Sequence, residues 1–493
     1  MQGELTGPDL KTGIAASELK DKLAGHFDGE PVLLVRSGKE VLAIGAACTH
    51  YGGPLAEGLI TANDVRCPWH HACFDLRTGE ALRAPALAPV ATYDVEVGTT
   101  IRVTKKRGAP SIVPARSQKR IAIVGTGAAG AAAVDMLHRR GMKATLIGTE
   151  EPVDRPNLSK EYLAGNAPEE WLPLPVPESV DRIRQRATRL DAKTKTLTFD
   201  DGSTASFDTI LLATGAEPVR LPIPGADQPH VHLLRTAADS RAIIDAAQNH
   251  KSAVIIGAGF IGLEVAASLR ARKVEVTVVA PEDIPLARIM GDDVGRFVQR
   301  LHESNGVRFF LGTGVKSIER DAVITANGQR LPADFVVMGG GVRPNVKLAE
   351  SAGLKIDNGI VVNEFLETSA PGIYAAGDIA RFPNHFTGDS IRVEHWVVAE
   401  RQGQAFARGE AFKHAPFFWS AHYDVIINYV GNASGWERYE VRGSLDDRNA
   451  LVAYRRGNKV VAVATIFKDV ESLQIEAAME ANDPAAVERI VSR

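Results

Sequence analysis

Residues 31–104 carry short apolar or alternating runs, such as Val32-Leu33-Leu34-Val35 and Tyr93-Asp94-Val95-Glu96-Val97, each broken by glycine or proline. Runs of that length and punctuation predict a small antiparallel β domain. The pattern then changes. Ile121-Ala122-Ile123-Val124 is continuously apolar, an alanine-rich helical stretch follows, and Lys143-Ala144-Thr145-Leu146-Ile147 closes the unit. The same order returns with Val254-Ile255-Ile256, a second helical stretch and residues 274–279. A buried strand, a helix and another buried strand make a βαβ unit, and its recurrence predicts two separate domains with parallel sheets. Residues 106–118, basic at first and then rich in proline and small polar residues, read as a linker.

At 493 residues the chain exceeds a single core, and about 150 residues per domain suggests roughly three or four domains. Hydrophobic residues make up 45% of it, enough for globular packing throughout. The net charge of −3 leaves no electrostatic footprint for nucleic acid or an anionic membrane, so small molecules and protein redox partners remain. Three cysteines give no disulfide framework and point to a reducing compartment. Residues 1–30 lack the charged and apolar regions of a signal or transit peptide. No apolar run approaches the roughly 18 residues of a membrane helix. The expectation is a soluble cytoplasmic protein, a monomer or homodimer.

Cys48-Thr49-His50 and Cys67-Pro68-Trp69-His70 place one thiol and one imidazole on each of two loops, with sixteen residues between the two motifs. A Cys2His2 zinc site would use the same residue types, although finger-type sites pair like with like. Ordinary core cysteines beside surface histidines are the other alternative. The flanks, His50-Tyr51-Gly52-Gly53-Pro54 and residues 67–75, resemble the two loops of Rieske [2Fe-2S] proteins, with Gly79 and residues 85–89 as the covering turn and proline loop. That resemblance implies that Cys48 and Cys67 hold one iron and His50 and His70 the other. Such a cluster passes single electrons, here toward the lower end of the Rieske range at roughly −150 mV, because Tyr51 and Trp69 stand where a disulfide pair would raise it. His71 occupies a position where the family has glycine, and Cys73 reads as a buried thiol.

Both βαβ units carry a glycine-rich turn, Gly125-Thr126-Gly127-Ala128-Ala129-Gly130 and Gly257-Ala258-Gly259-Phe260-Ile261-Gly262, and an acid 25 residues after the first glycine, Glu150 and Glu282. The glycines let the backbone approach a pyrophosphate, which rests on the N-terminus of the following helix. The acids would accept hydrogen bonds from the adenosine ribose. A carboxylate repels a 2′-phosphate, so Glu282 favours NADH over NADPH.

Residues 210–215, ending in Thr214-Gly215, and residues 373–378, ending in Gly377-Asp378, resemble the paired signatures of two-dinucleotide flavoproteins, whose outer domain binds FAD and whose inserted domain binds the nicotinamide nucleotide. Asp154-Arg155-Pro156-Asn157-Leu158-Ser159-Lys160 is similar to a segment of ferredoxin reductases and apoptosis-inducing factors, and Glu264 fits their G-x-G-x-x-G-x-E. Over residues 31–490 the chain thus resembles the Rieske-containing, apoptosis-inducing-factor-like branch of FAD-dependent ferredoxin reductases. The resemblance implies a multidomain fold: an all-β Rieske domain (1–105), two α/β Rossmann-like domains for FAD (119–231 and 360–414) and NAD(H) (232–359), and an α/β C-terminal domain (415–493). It implies a Lys160–Glu264 pair beside the flavin, flavin contacts from Arg155, Arg235 and Asp378, and a nucleotide contact at Gly341. It also brings Glu394, His395, Trp396 and Trp419 to the isoalloxazine, with His395 grouped with Lys160 and Glu264 as catalytic. On the residues alone, Lys160 is more often a solvated helix residue, while a turn cap for Asp378 and core side chains for His395 and Trp419 are the lesser alternatives. The implied activity takes electrons from NADH through FAD to the Rieske centre, to an external one-electron acceptor, or both. An oxygenase, a ferredoxin or a cytochrome all fit as acceptor. The alternative is a redox-sensing interaction protein of apoptosis-inducing-factor type with slow NADH oxidation.

Overall fold

The computed structural model describes residues 7–108 and 119–493. At the N-terminal end a six-stranded antiparallel sheet runs in the order Ile14–Ala15, Thr100–Arg107, Thr92–Val97, Glu40–Gly45, Glu30–Ser37, Lys22–Phe27. The central run at Val32 to Val35 is apolar at every position because both faces of its strand are covered. Val32 and Leu34 pack with Tyr93 and Ile101, while Leu33 and Val35 pack under Cys48 and Cys67. A second sheet of four short strands, Leu59–Ile60, Asp64–Arg66, Cys73–Asp75 and Ala81–Arg83, carries the second cysteine loop as the connection between its two middle strands. Of the expected linker, Lys106 and Arg107 continue the strand Thr100–Arg107, and residues 109–118 lie outside the described residues.

Two five-stranded parallel sheets follow. The first has the order Asp181–Ile183, Ala144–Ile147, Ile121–Val124, Thr209–Leu212, Ile373–Ala375, and the second Val231–His232, Phe335–Met338, Ser252–Ile256, Glu275–Val279, Val307–Phe310. In sequence the second sheet lies between two strands that are neighbours in the first, so one dinucleotide fold interrupts the other. Each helix after a glycine turn packs closely on that turn. A Cβ on Gly130 would stand 1.9 Å from the Gly125 carbonyl oxygen, and one on Gly262 2.3 Å from that of Gly257. Helix Trp396–Arg408 then lies against helix Ala128–Arg139 with Gly403 at the contact.

The C-terminal part is a five-stranded antiparallel sheet in the order Phe417–His422, Val425–Gly431, Lys459–Ile466, Asn449–Arg456, Arg438–Ser444, backed by helices Asp469–Glu480 and Pro484–Val491. The β domain rests directly on it. Fully buried Glu476 accepts from Arg83 at 2.9 Å and from Arg401 at 2.6 Å and faces His71 Nδ1 at 3.2 Å, joining three parts of the chain at one carboxylate. Among the described residues no helix is long and apolar enough to cross a membrane.

Candidate functional site

The two cysteine–histidine loops meet at the tip of the β domain. Cys48 and Cys67 are buried with their thiols hydrogen-bonded to each other, and that bond draws the Cys67 thiol below its ordinary pKa. His50 Nδ1 and His70 Nδ1 face each other at 3.2 Å. Two imidazole nitrogens bound at roughly 2 Å to one tetrahedral metal stand about 3.3 Å apart, so the histidine pair is spaced for one metal atom. Among the described residues no three His, Cys, Asp or Glu side chains are placed to hold a single ion. The four candidate ligands therefore come as a sulfur pair and a nitrogen pair, which suits a two-iron cluster better than a closed zinc site. Burial pushes the His50 imidazole down to about 3 and His70 well below its usual value, so both present a neutral ring.

His71 departs from the glycine of the family pattern and takes that position's left-handed backbone, at φ 61°. Its ring stacks on Phe417 at 3.9 Å, and its carbonyl accepts from Arg401 Nη2 at 3.1 Å. Burial pushes the Cys73 thiol up to about 12, which keeps it protonated and inert.

A cavity of about 1760 Å³ runs between the two dinucleotide folds and the C-terminal sheet. Its walls include Gly125, Gly127, Ala128, Ala129, Glu150, Arg155, Thr214, Gly215, Arg235, Gly377 and Asp378 on one side, and Gly259, Phe260, Ile261, Gly262 and Gly341 on the other. Lys160, Glu264, Glu394, His395, Trp396 and Trp419 line it as well. Gly130 and Gly257 stand behind the walls as packing positions, against the carbonyls of Gly125 and Gly339. Glu282 is exposed beyond the strand Glu275–Val279 and does not line the cavity. The cavity fits two dinucleotides. At Gly259 nothing lies within 4 Å of an added Cβ, which leaves space at the helix N-terminus where a pyrophosphate would sit. Arg235 Nη2 holds Asp378 at 2.8 Å and Arg155 Nη2 holds Glu150 at 3.1 Å, while burial lowers the Arg155 pKa. His395 is half-buried, its Nδ1 buried and unpartnered, and desolvation pushes it down to about 4.

Lys160 Nζ meets Glu264 Oε2 at 2.8 Å. Ser159 Oγ donates to the same carboxylate at 2.7 Å, and Ser420 Oγ donates to its other oxygen at 2.7 Å. Trp419 joins this group to the cysteine–histidine loops. It lines the cavity, sits 5.9 Å under Lys160 Nζ and has its ring centroid 4.1 Å from that of His70. Tyr51, stacked on His50, donates its hydroxyl to Asp154, which also accepts from Asn157 at 3.0 Å. Sequence reading missed Tyr51, Asp154, Ser420 and Glu476 as site residues. Asp154 carried a signal as the first residue of the Arg-Pro segment, and Tyr51 as part of the first cysteine–histidine loop.

Three family models match the chain: "Rieske [2Fe-2S] domain" over residues 13–94, "Pyridine nucleotide-disulphide oxidoreductase" over 119–403, and "Reductase C-terminal" over 417–491. Mouse apoptosis-inducing factor 3 is 31% identical over 89% of this chain and 78% of its own length. Putidaredoxin reductase CamA of Pseudomonas putida is 36% identical over 71% of this chain and 89% of its own. Among solved structures, the covalent putidaredoxin reductase–putidaredoxin complex superposes with a TM-score of 0.72 at 33% identity, covering 76% of this chain and 99% of that one. These matches agree with the cysteine–histidine pairs and the two glycine turns. The chain belongs to the pyridine nucleotide-disulphide oxidoreductase family, as a flavin-dependent reductase with a Rieske domain at its N-terminal end.

Proposed function

We propose that the chain oxidises NADH and passes the electrons singly to its own Rieske centre and onward to a ferredoxin-type protein. One observation carries the reading: Trp419 is at once a wall of the dinucleotide cavity and a neighbour of the cluster ligand His70. FAD, when bound, supplies the conversion from hydride to single-electron chemistry, and the [2Fe-2S] cluster accepts one electron at a time. Every other contribution belongs to the protein. Gly125, Gly127, Arg155, Thr214, Arg235 and Asp378 would hold FAD, and the Gly257–Gly262 turn and Gly341 would hold NADH. Glu264 fixes Lys160 at the cavity wall, where the ammonium would offer positive charge to the flavin. Trp396 and Phe418 add apolar surface to the same cavity.

Relatives named as ferredoxin–NAD(+) reductase components support NADH as donor, and the reductase–putidaredoxin complex supports a small ferredoxin-type partner. The unpaired, buried thiols accord with a reducing cytoplasm, and the reading admits a monomer or a homodimer. The test combines cofactor analysis with kinetics. The reading expects FAD and cluster iron in the purified protein and a higher kcat/KM for NADH than for NADPH with a ferredoxin as acceptor. Protein that holds FAD but no cluster iron after anaerobic purification would contradict it.

A further inference from the structure

Strand Phe417–His422 faces a different part of the chain on each side, because successive side chains of a strand point to opposite faces. Phe417 stacks on His71, and Trp419 lies against His70, both in the β domain. The alternate positions turn to the second dinucleotide fold. Phe418 meets Phe260 at 5.0 Å between ring centroids, Ser420 Oγ donates to Glu264 Oε1 at 2.7 Å, and His422 Nδ1 lies 3.1 Å from His302 Nε2. Ser420 Oγ and His422 Nε2 are themselves 3.1 Å apart. Ser420, His422, His302 and Glu264 are all buried, and of these four Glu264 alone lines the cavity.

Glu264 decides which way these bonds run. Its Oε2 accepts from Lys160 and Ser159, and its Oε1 takes its donor from Ser420. A carboxylate only accepts, so the single hydroxyl proton of Ser420 is committed to it. His422 then donates from Nε2 to Ser420 and accepts at Nδ1 from His302, whose own Nδ1 accepts from the Tyr423 hydroxyl at 3.2 Å. Both imidazoles are neutral Nε2–H tautomers in this arrangement. Burial agrees, holding His422 at about 3 and His302 well below its ordinary value. Without the donor from His302, His422 is free to take the other tautomer, and the Ser420 proton then turns to the ring instead of to Glu264.

We propose that Ser420 and His422 are positioning residues for the Lys160–Glu264 pair, with His302 fixing the tautomer through which they act. The effect is electrostatic and moves no proton. Each bond polarises the next toward Glu264, so the carboxylate shares its negative charge with Ser420 and leaves more of the Lys160 charge to face the cavity. The inference rests on the function given above, in which electrons from NADH bring negative charge beside Lys160. A donor lost at Oε1 returns negative charge to the pair and weakens the hold of the cavity wall on those electrons.

Three variants of the full holoprotein test this. Ser420→Ala removes the donor itself, His422→Leu removes its support, and His422→Gln restores an N–H toward Ser420 and an acceptor toward His302. Ser420→Ala and His422→Leu are expected to lower the flavin midpoint potential and to slow flavin reduction by NADH about tenfold at unchanged NADH affinity, with His422→Gln close to the wild type. The EPR signal of the reduced cluster, which lies on the opposite face of the strand, is expected to stay the same in all three. With ¹⁵N-labelled histidine, His422 and His302 are expected as neutral Nε2–H tautomers. A wild-type potential in Ser420→Ala overturns the proposal, and this variant removes one oxygen atom and keeps the test valid should His422→Leu fold poorly. A potential as low in His422→Gln as in His422→Leu, a cluster signal that changes together with the potential, or an Nδ1–H tautomer at His422 overturns it as well. Wild-type protein whose flavin NADH does not reduce refutes the function instead, and the tautomers still test the direction of the bonds.

Discussion

Glu476→Gln probes how firmly the Rieske domain is held against the reductase body. The carboxylate and its partner Arg401 are both fully buried and 2.6 Å apart. Removing one partner of such a pair costs about 3–5 kcal/mol, because the other charge is left buried without compensation. Arg83 also binds Glu476, but Glu480 holds it at 2.5 Å and would keep it paired. Only Arg401 loses its carboxylate, and the glutamine amide oxygen still accepts one hydrogen bond worth about 1 kcal/mol. The net loss is about 3 kcal/mol, roughly a hundredfold in the docking equilibrium. Hydrogen exchange measures it. Strands Cys73–Asp75 and Ala81–Arg83 and helix Asp469–Glu480 are expected to exchange about a hundredfold faster, with strand Ile121–Val124 unchanged. The double variant Arg401→Met/Glu476→Gln, which removes the stranded charge, is expected to recover most of the protection. Unchanged exchange at the seam, or equal acceleration at Ile121–Val124, would refute the reasoning.

Trp419→Leu is expected to slow NADH-driven reduction of the cluster more than reduction of the flavin, and rapid-freeze EPR beside stopped-flow absorbance would show the split. Gly262→Ala places a Cβ 2.3 Å from the Gly257 carbonyl oxygen, so the helix must shift. A loss of about 1–3 kcal/mol in stability and weaker NADH binding are expected, read by thermal melts and isothermal titration. Acid sensitivity should begin near pH 6.5. Desolvation holds His422 at about 3 and His395 at about 4 against an ordinary 6.5, so the unfolded chain binds more protons below 6.5 and stability falls as pH drops from 6.5 toward 3. Burial raises Glu480, but Arg83 and His414 outweigh it and hold the acid at about 2 against 4.5, adding a second loss as pH falls from 4.5 to 2. A melting temperature that stays flat from pH 7 down to 5 would contradict the histidine part.

The paired cysteine–histidine loops and both glycine turns were legible in the sequence because each depends on local spacing: a thiol and an imidazole on one loop, or three glycines at a strand–helix turn. The Lys160–Glu264 pair was reached only through family resemblance, since the two residues lie on different elements and meet by tertiary packing. Glu476 had no sequence signal. It lies on an ordinary helix, and its three partners come from a Rieske loop, a Rieske strand and helix Trp396–Arg408. His71 was legible as an anomaly at a glycine position, yet only the structure shows its ring on Phe417. The expected ribose contact from Glu282 followed from motif spacing. In the structure that side chain is exposed beyond its strand, away from the cavity wall. The hydrogen bonds from Ser420 to His422 and from His422 to His302 were equally hidden, because together they cross from the C-terminal sheet to a helix of another domain.

The central claim is that the dinucleotide cavity and the Rieske ligands form one circuit within the chain, joined at Trp419. Anaerobic titration of the holoprotein with NADH, followed by absorbance and EPR together, tests it most directly. The account predicts that the reduced-cluster signal rises alongside flavin bleaching from the first additions, without any added protein. Flavin that bleaches fully while the cluster stays oxidised would contradict it.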